Sequence, residues 1–481
     1  MLKALTSQAL CAPCAAVLLA LAGCAVGPTY HAPAPATATT WHAPVPHGGK
    51  AAALQGWWAQ FNDAALTQFI AWADADSPTL TQAWARIEQA RATLTTTRAG
   101  ALPSVSASGS ATRARQQVTT TQTSTTTTRS AGLDASWEID LFGRVRRNTE
   151  AASARIEARE ADWHDARVSL AAEVADTHVQ YRACGLLADA YDRELASVTT
   201  TEATTATMVK AGLTAPADGA LARASLASSR ASAVRQRAQC ALLLKSLVYL
   251  TGRDEPELLA VMAAGSTAVP QPMRLSVDSV PADVLRQRPD LASLERELAA
   301  SSAETGAAQA DLYPSLSLGG AITRAFTQGL GGITSWSFGP QLSLPLFNGG
   351  ARRAAVDSAN ASYASALAGY RQGVRAAVRE VEQALVNLDS TRQRATEAHR
   401  AAEEYRRYLD ATEANWRAGT ASLLNLEEAR RSALSAEIDD LTLAQSQVSD
   451  WIALYKALGG GWTPGMPTTS PSQKNTEGAS S

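Results

Sequence analysis

The segment Leu133–Arg147, LDASWEIDLFGRVRR, sets two periodicities end to end. From Leu133 to Leu141 the positions Leu133, Ala135, Trp137, Ile139 and Leu141 are apolar, while Asp134, Ser136, Glu138 and Asp140 are polar. That is the period of a strand with one dry and one wet face. After Phe142-Gly143 the alternation stops and a long, charged, Ala-rich segment follows, which reads as helix. One continuous piece of chain must therefore pass from a two-faced strand directly into a very long helix.

The device occurs twice. In Trp336–Leu346, WSFGPQLSLPL, residues Trp336, Phe338, Leu342, Leu344 and Leu346 share one face, and Ser337, Gln341 and Ser343 the other. Phe347-Asn348-Gly349-Gly350 then breaks the strand before a second long helix. Pro78 to Pro103 matches Pro289 to Pro314, Ala211-Gly212 matches Ala418-Gly419, and Leu250-Thr251-Gly252 matches Leu458-Gly459-Gly460. Offsets of roughly 205 to 211 residues mark one duplicated unit, far longer than a solenoid repeat.

Each unit carries two candidate strands, about 104–115 and 133–141 in the first and about 315–323 and 336–346 in the second. Thr119–Ser130, nearly all Thr, Ser and Gln, lacks an apolar face and reads as an exposed loop, as does Arg324–Thr334. About ten alternating residues suffice to cross a bilayer as a tilted strand. The chain beyond the first two dozen residues has no apolar run of about eighteen residues to cross one as a helix. An open sheet in lipid leaves its edge groups unpaired, so a spanning sheet must close. Four strands cannot do so alone, and a barrel of about eight has a bore filled by side chains. Three copies would make twelve strands around a wet lumen, with Trp137, Ile139, Trp336 and Phe338 facing lipid.

Neither Arg144–Lys210 nor Arg352–Arg417 contains proline. At 1.5 Å per residue each helix could reach about 100 Å. Shorter return helices follow glycine turns at Gly212 and Gly419, giving hairpins over about 144–250 and 351–458. The expected fold is mixed α and β, a duplicated strand-strand-long helix-helix unit, with a trimeric β-barrel continuing into an α-helical barrel.

Met1–Cys24 has the form of a secretory signal, with Lys3 ahead of the apolar Ala15–Ala22. Leu21-Ala22-Gly23-Cys24 resembles a bacterial lipobox, which implies cleavage after residue 23 and acylation of Cys24. In such lipoproteins a residue other than Asp after the cysteine, here Ala25, permits sorting to the outer membrane. Cys11 and Cys14 fall in the removed part. Residues 24–55, rich in Pro, Ala and Thr, read as a linker. The repeats span 56–253 and 288–461, with a connector at 254–287 and a disordered tail at 462–481. Cys184 lies twenty-eight residues before Gly212 and Cys240 twenty-eight after it, so both stand at one height in an antiparallel hairpin, where a disulfide is possible.

A formal net charge of −2 gives no reason to expect a nucleic-acid partner. Among the six histidines only His164 and His178 share a helix, too far apart to ligate one ion. No GxSxG, Walker loop or HExxH appears, so the chain reads as no enzyme, with no cofactor and no metal.

Gly56-Trp57-Trp58-Ala59-Gln60-Phe61, Trp137–Gly143, Arg288-Pro289-Asp290-Leu291, Leu312-Tyr313-Pro314-Ser315 and Leu344–Gly350 complete an ordered set of motifs. Together with the lipobox, this set resembles the TolC-like outer-membrane factors, within them the NodT-type lipoproteins of resistance-nodulation-division efflux systems. The resemblance implies a homotrimer anchored in outer-membrane lipid through Cys24. It also implies a periplasmic tunnel that meets an adaptor protein and an inner-membrane pump, and a passive exit duct for drugs or other small toxic compounds. Alignment on Gly419 places Asn425 and Glu428 where relatives often carry aspartates at the tunnel aperture, with Trp416 near the usual aromatic. Asp218 is the counterpart of Asn425 in the first unit, and Glu427 a further candidate. Asn425 would make this ring less acidic at one level. The rival expectations are a protein-secretion duct, a structural periplasmic coiled-coil lipoprotein and an envelope hydrolase.

Overall fold

A computed structural model describes residues 25–34, 41–43, 56–117, 123–272, 286–466 and 468. The signal segment, Cys24 and its acylation, and the tail from 469 onward lie outside the described residues. A short 3-10 helix, Trp57–Phe61, precedes α1 (Ala64–Asp76), α2 (Pro78–Ala99), β1 (Ser104–Gln117), β2 (Thr123–Ile139), α3 (Arg144–Lys210), α4 (Pro216–Thr251) and α5 (Glu255–Ala263). The second half follows with α6 (Pro289–Ala310), β3 (Ser315–Thr327), β4 (Gly331–Ser343), α7 (Ala351–Arg417) and α8 (Leu423–Ala457). The duplication is explicit: α3 and α7 have 67 residues each.

Two compact units divide the chain. The first comprises residues 1–34, 85–160 and 293–372, and the second 35–84, 161–292 and 373–481. The first holds one antiparallel sheet in the order β1-β2-β3-β4. Its strands overrun the expected loops, because β2 begins at Thr123 and β3–β4 are joined by only three residues. The Thr-rich run has no apolar face to signal a strand, yet Thr is β-branched and the backbone of Thr123–Thr128 pairs with Thr112–Gln117. The strands also stop early, at Ile139 and Ser343. Asp140 leaves the wet face of the strand to cap a helix, its Oδ1 accepting from the Val145 amide at 3.1 Å and Oδ2 from that of Arg146 at 2.9 Å. Gly143 and Gly350 begin α3 and α7 at φ 84 and 87, a region that favours glycine.

Residues 25–30, expected to belong to a free linker, are strapped to this unit. Val26 N–H donates to the Phe142 carbonyl at 3.1 Å, and Arg147 reaches the carbonyls of Val26 and Gly27, both at 3.2 Å. Tyr30 Oη donates to Glu295 Oε1 at 2.5 Å. A Cβ on Gly27 would lie 2.4 Å from Gly306 Cα, so only glycine permits the strap to seat. Beneath it, Ala151 and Ala154 of α3 pack on Ala299, Ala300 and Ala303 of α6, small side chains that let two helices approach closely.

The second unit is built around Trp57, Phe61, Leu66, Val179, Leu385, Val448, Trp451 and Tyr455. Trp57 stacks on Tyr455 with centroids 5.1 Å apart. Asp63 caps α1 by accepting from the Leu66 amide at 3.0 Å, and also pairs with the fully buried His178 Nε2 at 2.9 Å. Burial alone would raise the Asp63 carboxyl, but the His178 hydrogen bond and charge with the Leu66 amide hold it at about 2. Arg288 closes the end of α8, donating to the Ala457 carbonyl at 2.7 Å while it binds Asp290 and Glu380, each at 2.8 Å.

Candidate functional site

Two surfaces carry the features that the sequence singles out. In the first unit, pairing register brings most of the large apolar residues of the four strands onto one face, with Ile333 falling on the other. Val105 opposes Ala135, Leu133 opposes Ile322, Trp137 opposes Leu318, and Leu316, Leu318, Gly320 and Ile322 oppose Leu342, Pro340, Phe338 and Trp336. A slip of one residue in any pair would mix the faces. Trp336 and Phe338 are 78% and 71% exposed in the single chain, whereas Trp137 and Ile139 are half-buried. Trp137 Nε1 donates to the Ala101 carbonyl at 2.9 Å. The opposite face is joined by hydroxyls, Ser104 Oγ with Ser136 Oγ and Ser110 Oγ with Ser130 Oγ, both at 2.8 Å. It also holds Glu138, bound by Arg144 Nη2 through both carboxylate oxygens at 2.8 Å. Within the described chain β1 and β4 each pair on one side only.

In the second unit the two hairpin turns share one geometry. Gly212 and Gly419 take φ 70 and 77. The Gly212 amide donates to the Val209 carbonyl at 3.1 Å and Leu213 to Met208 at 2.9 Å; Gly419 donates to Trp416 at 3.0 Å and Thr420 to Asn415 at 2.9 Å. Each is the paired helix-ending motif in which a left-handed glycine satisfies the last carbonyls. The return helices start differently. Ser422 caps α8 by accepting from the Asn425 amide at 3.2 Å and donates to Asn425 Oδ1 at 2.8 Å, whereas α4 starts at Pro216 with Thr214 Oγ1 donating to Asp218 Oδ2 at 2.7 Å. Asn425 and Glu428 are exposed, and Asp218 and Trp416 half-buried.

Glu427 does not belong with them. It is 8% exposed and accepts from Arg430 Nη1 at 2.7 Å, while Arg430 Nη2 donates to Thr201 Oγ1 of α3 at 2.6 Å. A carboxylate spaced three residues ahead of an arginine turns to it along the helix, and burial against α3 holds both inward. The same interface continues with Arg193 of α3 on Glu437 of α8 at 2.5 Å, and with Ser449 Oγ on Asp176 Oδ1 at 2.5 Å. The sequence offers only the Glu427–Arg430 spacing as a signal for this row. Farther from the turn, Cys184 of α3 and Cys240 of α4 are joined as a disulfide with Cα atoms 5.5 Å apart. No helix among the described residues is long and apolar enough to cross a membrane, and they contain no cluster able to hold a metal ion.

A sheet with one apolar and one polar face, in a chain that also carries duplicated long helical hairpins, is the combination to set against known proteins. The family model described as outer membrane efflux protein matches residues 70–253 and 280–460. The chain belongs to this family. It is 32% identical to nodulation protein T of Rhizobium leguminosarum bv. trifolii, over 93% of this chain and 96% of the relative. It is 30% identical to outer membrane protein OprJ of Pseudomonas aeruginosa, over 93% and 95%. The solved structure of the outer-membrane channel OprN superposes with a TM-score of 0.79 at 31% identity, covering 92% of this chain and all of that one. The Campylobacter jejuni CmeC channel has the same fold, with a TM-score of 0.80 at 23% identity over 95% and 98%. As a member of the outer membrane efflux protein family, the chain shares its fold with channel proteins rather than enzymes.

Proposed function

We propose that three copies of this chain join sheets edge to edge into a twelve-strand barrel in the outer membrane, and that the hollow they enclose is the exit duct of an efflux pump. The observation that carries this is the register-matched apolar face, displayed on a sheet with two unpaired edges. Lipid offers no hydrogen bonds, so such a sheet is stable in a bilayer only when each edge meets another. Identical edges arranged about a threefold axis satisfy this with β4 of one copy against β1 of the next. The serine, Asp134 and Glu138 face then lines a wet lumen. The long hairpins continue the duct into the periplasm, where an adaptor and an inner-membrane pump supply the cargo and the energy. Relatives named as efflux pump outer membrane proteins support drugs or small toxic compounds as that cargo. Cys24 carries the acyl anchor, and the residues that follow it are docked where the sheet gives way to α3, Val26 N–H on the Phe142 carbonyl and the Val26 carbonyl on Arg147.

In this reading Asn425 and Glu428, both exposed beside the Gly419 turn, line the aperture together with the half-buried Asp218 and Trp416. Carboxylates brought together by threefold symmetry repel one another and favour opening unless a cation or an arginine holds them. Planar-bilayer recording of the detergent-extracted protein, with its mass in the folded state, tests the reading. A conducting species with the mass of three chains is expected, with higher conductance in the N425A/E428A variant because the shorter side chains leave a wider bore at the level they line. A folded, non-conducting monomer would sink it.

A further inference from the structure

Charge is sorted over the sheet by face. Its strands carry four basic residues, Arg113 and Arg115 on β1, Arg129 on β2 and Arg324 on β3, and two acidic ones, Asp134 and Glu138. Register puts all four arginines on the apolar face and both carboxylates on the other. Arg129 opposes Ala111 and Phe326, Arg324 opposes Ala131 and Thr334, and Arg113 and Arg115 oppose Thr127 and Thr125. Each is a diagonal or next-but-one neighbour of the next, so Arg115, Arg113, Arg129 and Arg324 form one line with steps of about 7 Å. All four are exposed. Arg115 Nη2 donates to the neutral Thr123 hydroxyl at 3.1 Å. The turn residues 118–122 and 328–330 contain no acid. The next row toward the helices is wholly apolar: Ala107, Leu133, Ile322 and Trp336.

The line lies at one level. Arg113 and Arg324 stand nine residues from the helix-side ends of their strands, Ser104 and Ser315, and Arg129 stands ten from Ile139. Nine residues are about 30 Å of strand, or about 23 Å of height at a tilt of about 40°, close to the roughly 25 Å of a barrel's apolar band. An arginine is costly at the bilayer midplane and nearly free at the interface, so the line marks where hydrocarbon ends. Solubility alone would be served by either face, whereas register places every cation on the one that meets lipid. Four like charges this close repel unless anions lie between them. A guanidinium binds a phosphate through two parallel N–H bonds. Resting on the barrel reading above, we propose that this line, repeated three times around the barrel at the end away from the long helices, binds outer-leaflet lipids that carry two phosphate groups. A line about 20 Å long seats both phosphates of one lipid, each beside neighbouring guanidinium groups. The exposed Phe326, Ile322 and Trp336 meet its acyl chains.

Native mass spectrometry of the full detergent-extracted protein, with lipid A as the two-phosphate probe, tests this. Lipid A is expected to bind at least about tenfold more tightly than phosphatidylglycerol, which has a single phosphodiester. The R113Q/R129Q/R324Q variant should lose at least about tenfold in lipid A affinity and keep its affinity for zwitterionic phosphatidylethanolamine. Arg129→Lys retains the charge without the paired donors and should lose about two- to fivefold. Equal affinity of the native protein for lipid A and phosphatidylglycerol would overturn the proposal, as would undiminished lipid A binding by the triple variant. Displacement of lipid A by millimolar inorganic phosphate would assign the arginines to a free anion and overturn it too. If the triple variant fails to assemble, the comparison of lipids on the native protein decides. Mass and conductance of the same preparation separate this inference from its premise. A conducting trimer without preference for lipid A removes the arginine site alone, whereas a folded, non-conducting monomer removes the barrel and the site with it.

Discussion

Arg430 joins α8 to α3 at a buried point, bound to Glu427 on its own helix and to Thr201 on the other. It is 3% exposed and forms an ion pair with Glu427, which is itself buried, so its removal strands a buried carboxylate. Arg430→Ala should lower stability by about 3 kcal/mol or more, read as a drop in thermal midpoint. Arg400→Ala, which breaks only the exposed pair with Glu397 at 3.1 Å, should change it by less than about 1 kcal/mol. Asp63 gives a residue-level pH signature. Its carboxyl sits at about 2 in the folded protein against about 3.9 in an unfolded chain. Its contribution is therefore complete above pH about 3.9 and lost as pH falls toward 2, an effect of about 2 kcal/mol. Acid titration of stability in Asp63→Asn should lack that step. The glycine turns could be read from the sequence because only a left-handed residue ends a helix in that way. The inward turn of Glu427 could not, since it depends on Thr201, more than two hundred residues away in the chain.

At the scale of elements, the strand-to-helix junctions were legible because two periodicities meet there, whereas the strand ends were not. Thr123–Ser130 becomes strand through its pairing with β1, and a one-stranded view of a threonine run holds no trace of that partner. Asp140 keeps strand alternation in the sequence and yet serves the helix, because its carboxylate finds two free amides at the start of α3. The equal spacing of Cys184 and Cys240 about Gly212 gave their common height, while the facing of the two side chains is a property of the packed hairpin. The second hairpin should respond to pH through His399. Its hydrogen bond with Asp440, then that carboxylate's charge, raises its pKa above the ordinary value, with a smaller contribution from Glu403. The tie is then fully present below about pH 6.5 and is lost as pH rises through the raised value. Hydrogen exchange near residues 399 and 440 should quicken between pH 6 and pH 8.5 in the native chain, beyond the intrinsic rate change, and show no such excess in His399→Asn.

For the whole molecule, the two faces of the sheet make opposite predictions. Phe338→Arg places a charge on the face assigned to lipid and should cost about 2–4 kcal/mol if it lies near the bilayer midplane, seen as reduced heat-resistant oligomer in outer-membrane fractions. Ser337→Arg, one residue away on the other face, should leave assembly intact and shift ion selectivity instead. Equal effects of the two substitutions would mean that the sheet does not separate lipid from lumen.

By itself the sequence determined the duplicated plan, the two faces of each strand and the two long hairpins with their glycine ends, because these rest on local periodicity and on backbone angles that few residues adopt. Only the tertiary structure decided the common register of four strands, the seating of the strap against Gly306, the removal of Glu427 from solvent and the closure of one hairpin by a disulfide. Each of those depends on a partner distant in the chain, and no local pattern encodes which distant group will arrive.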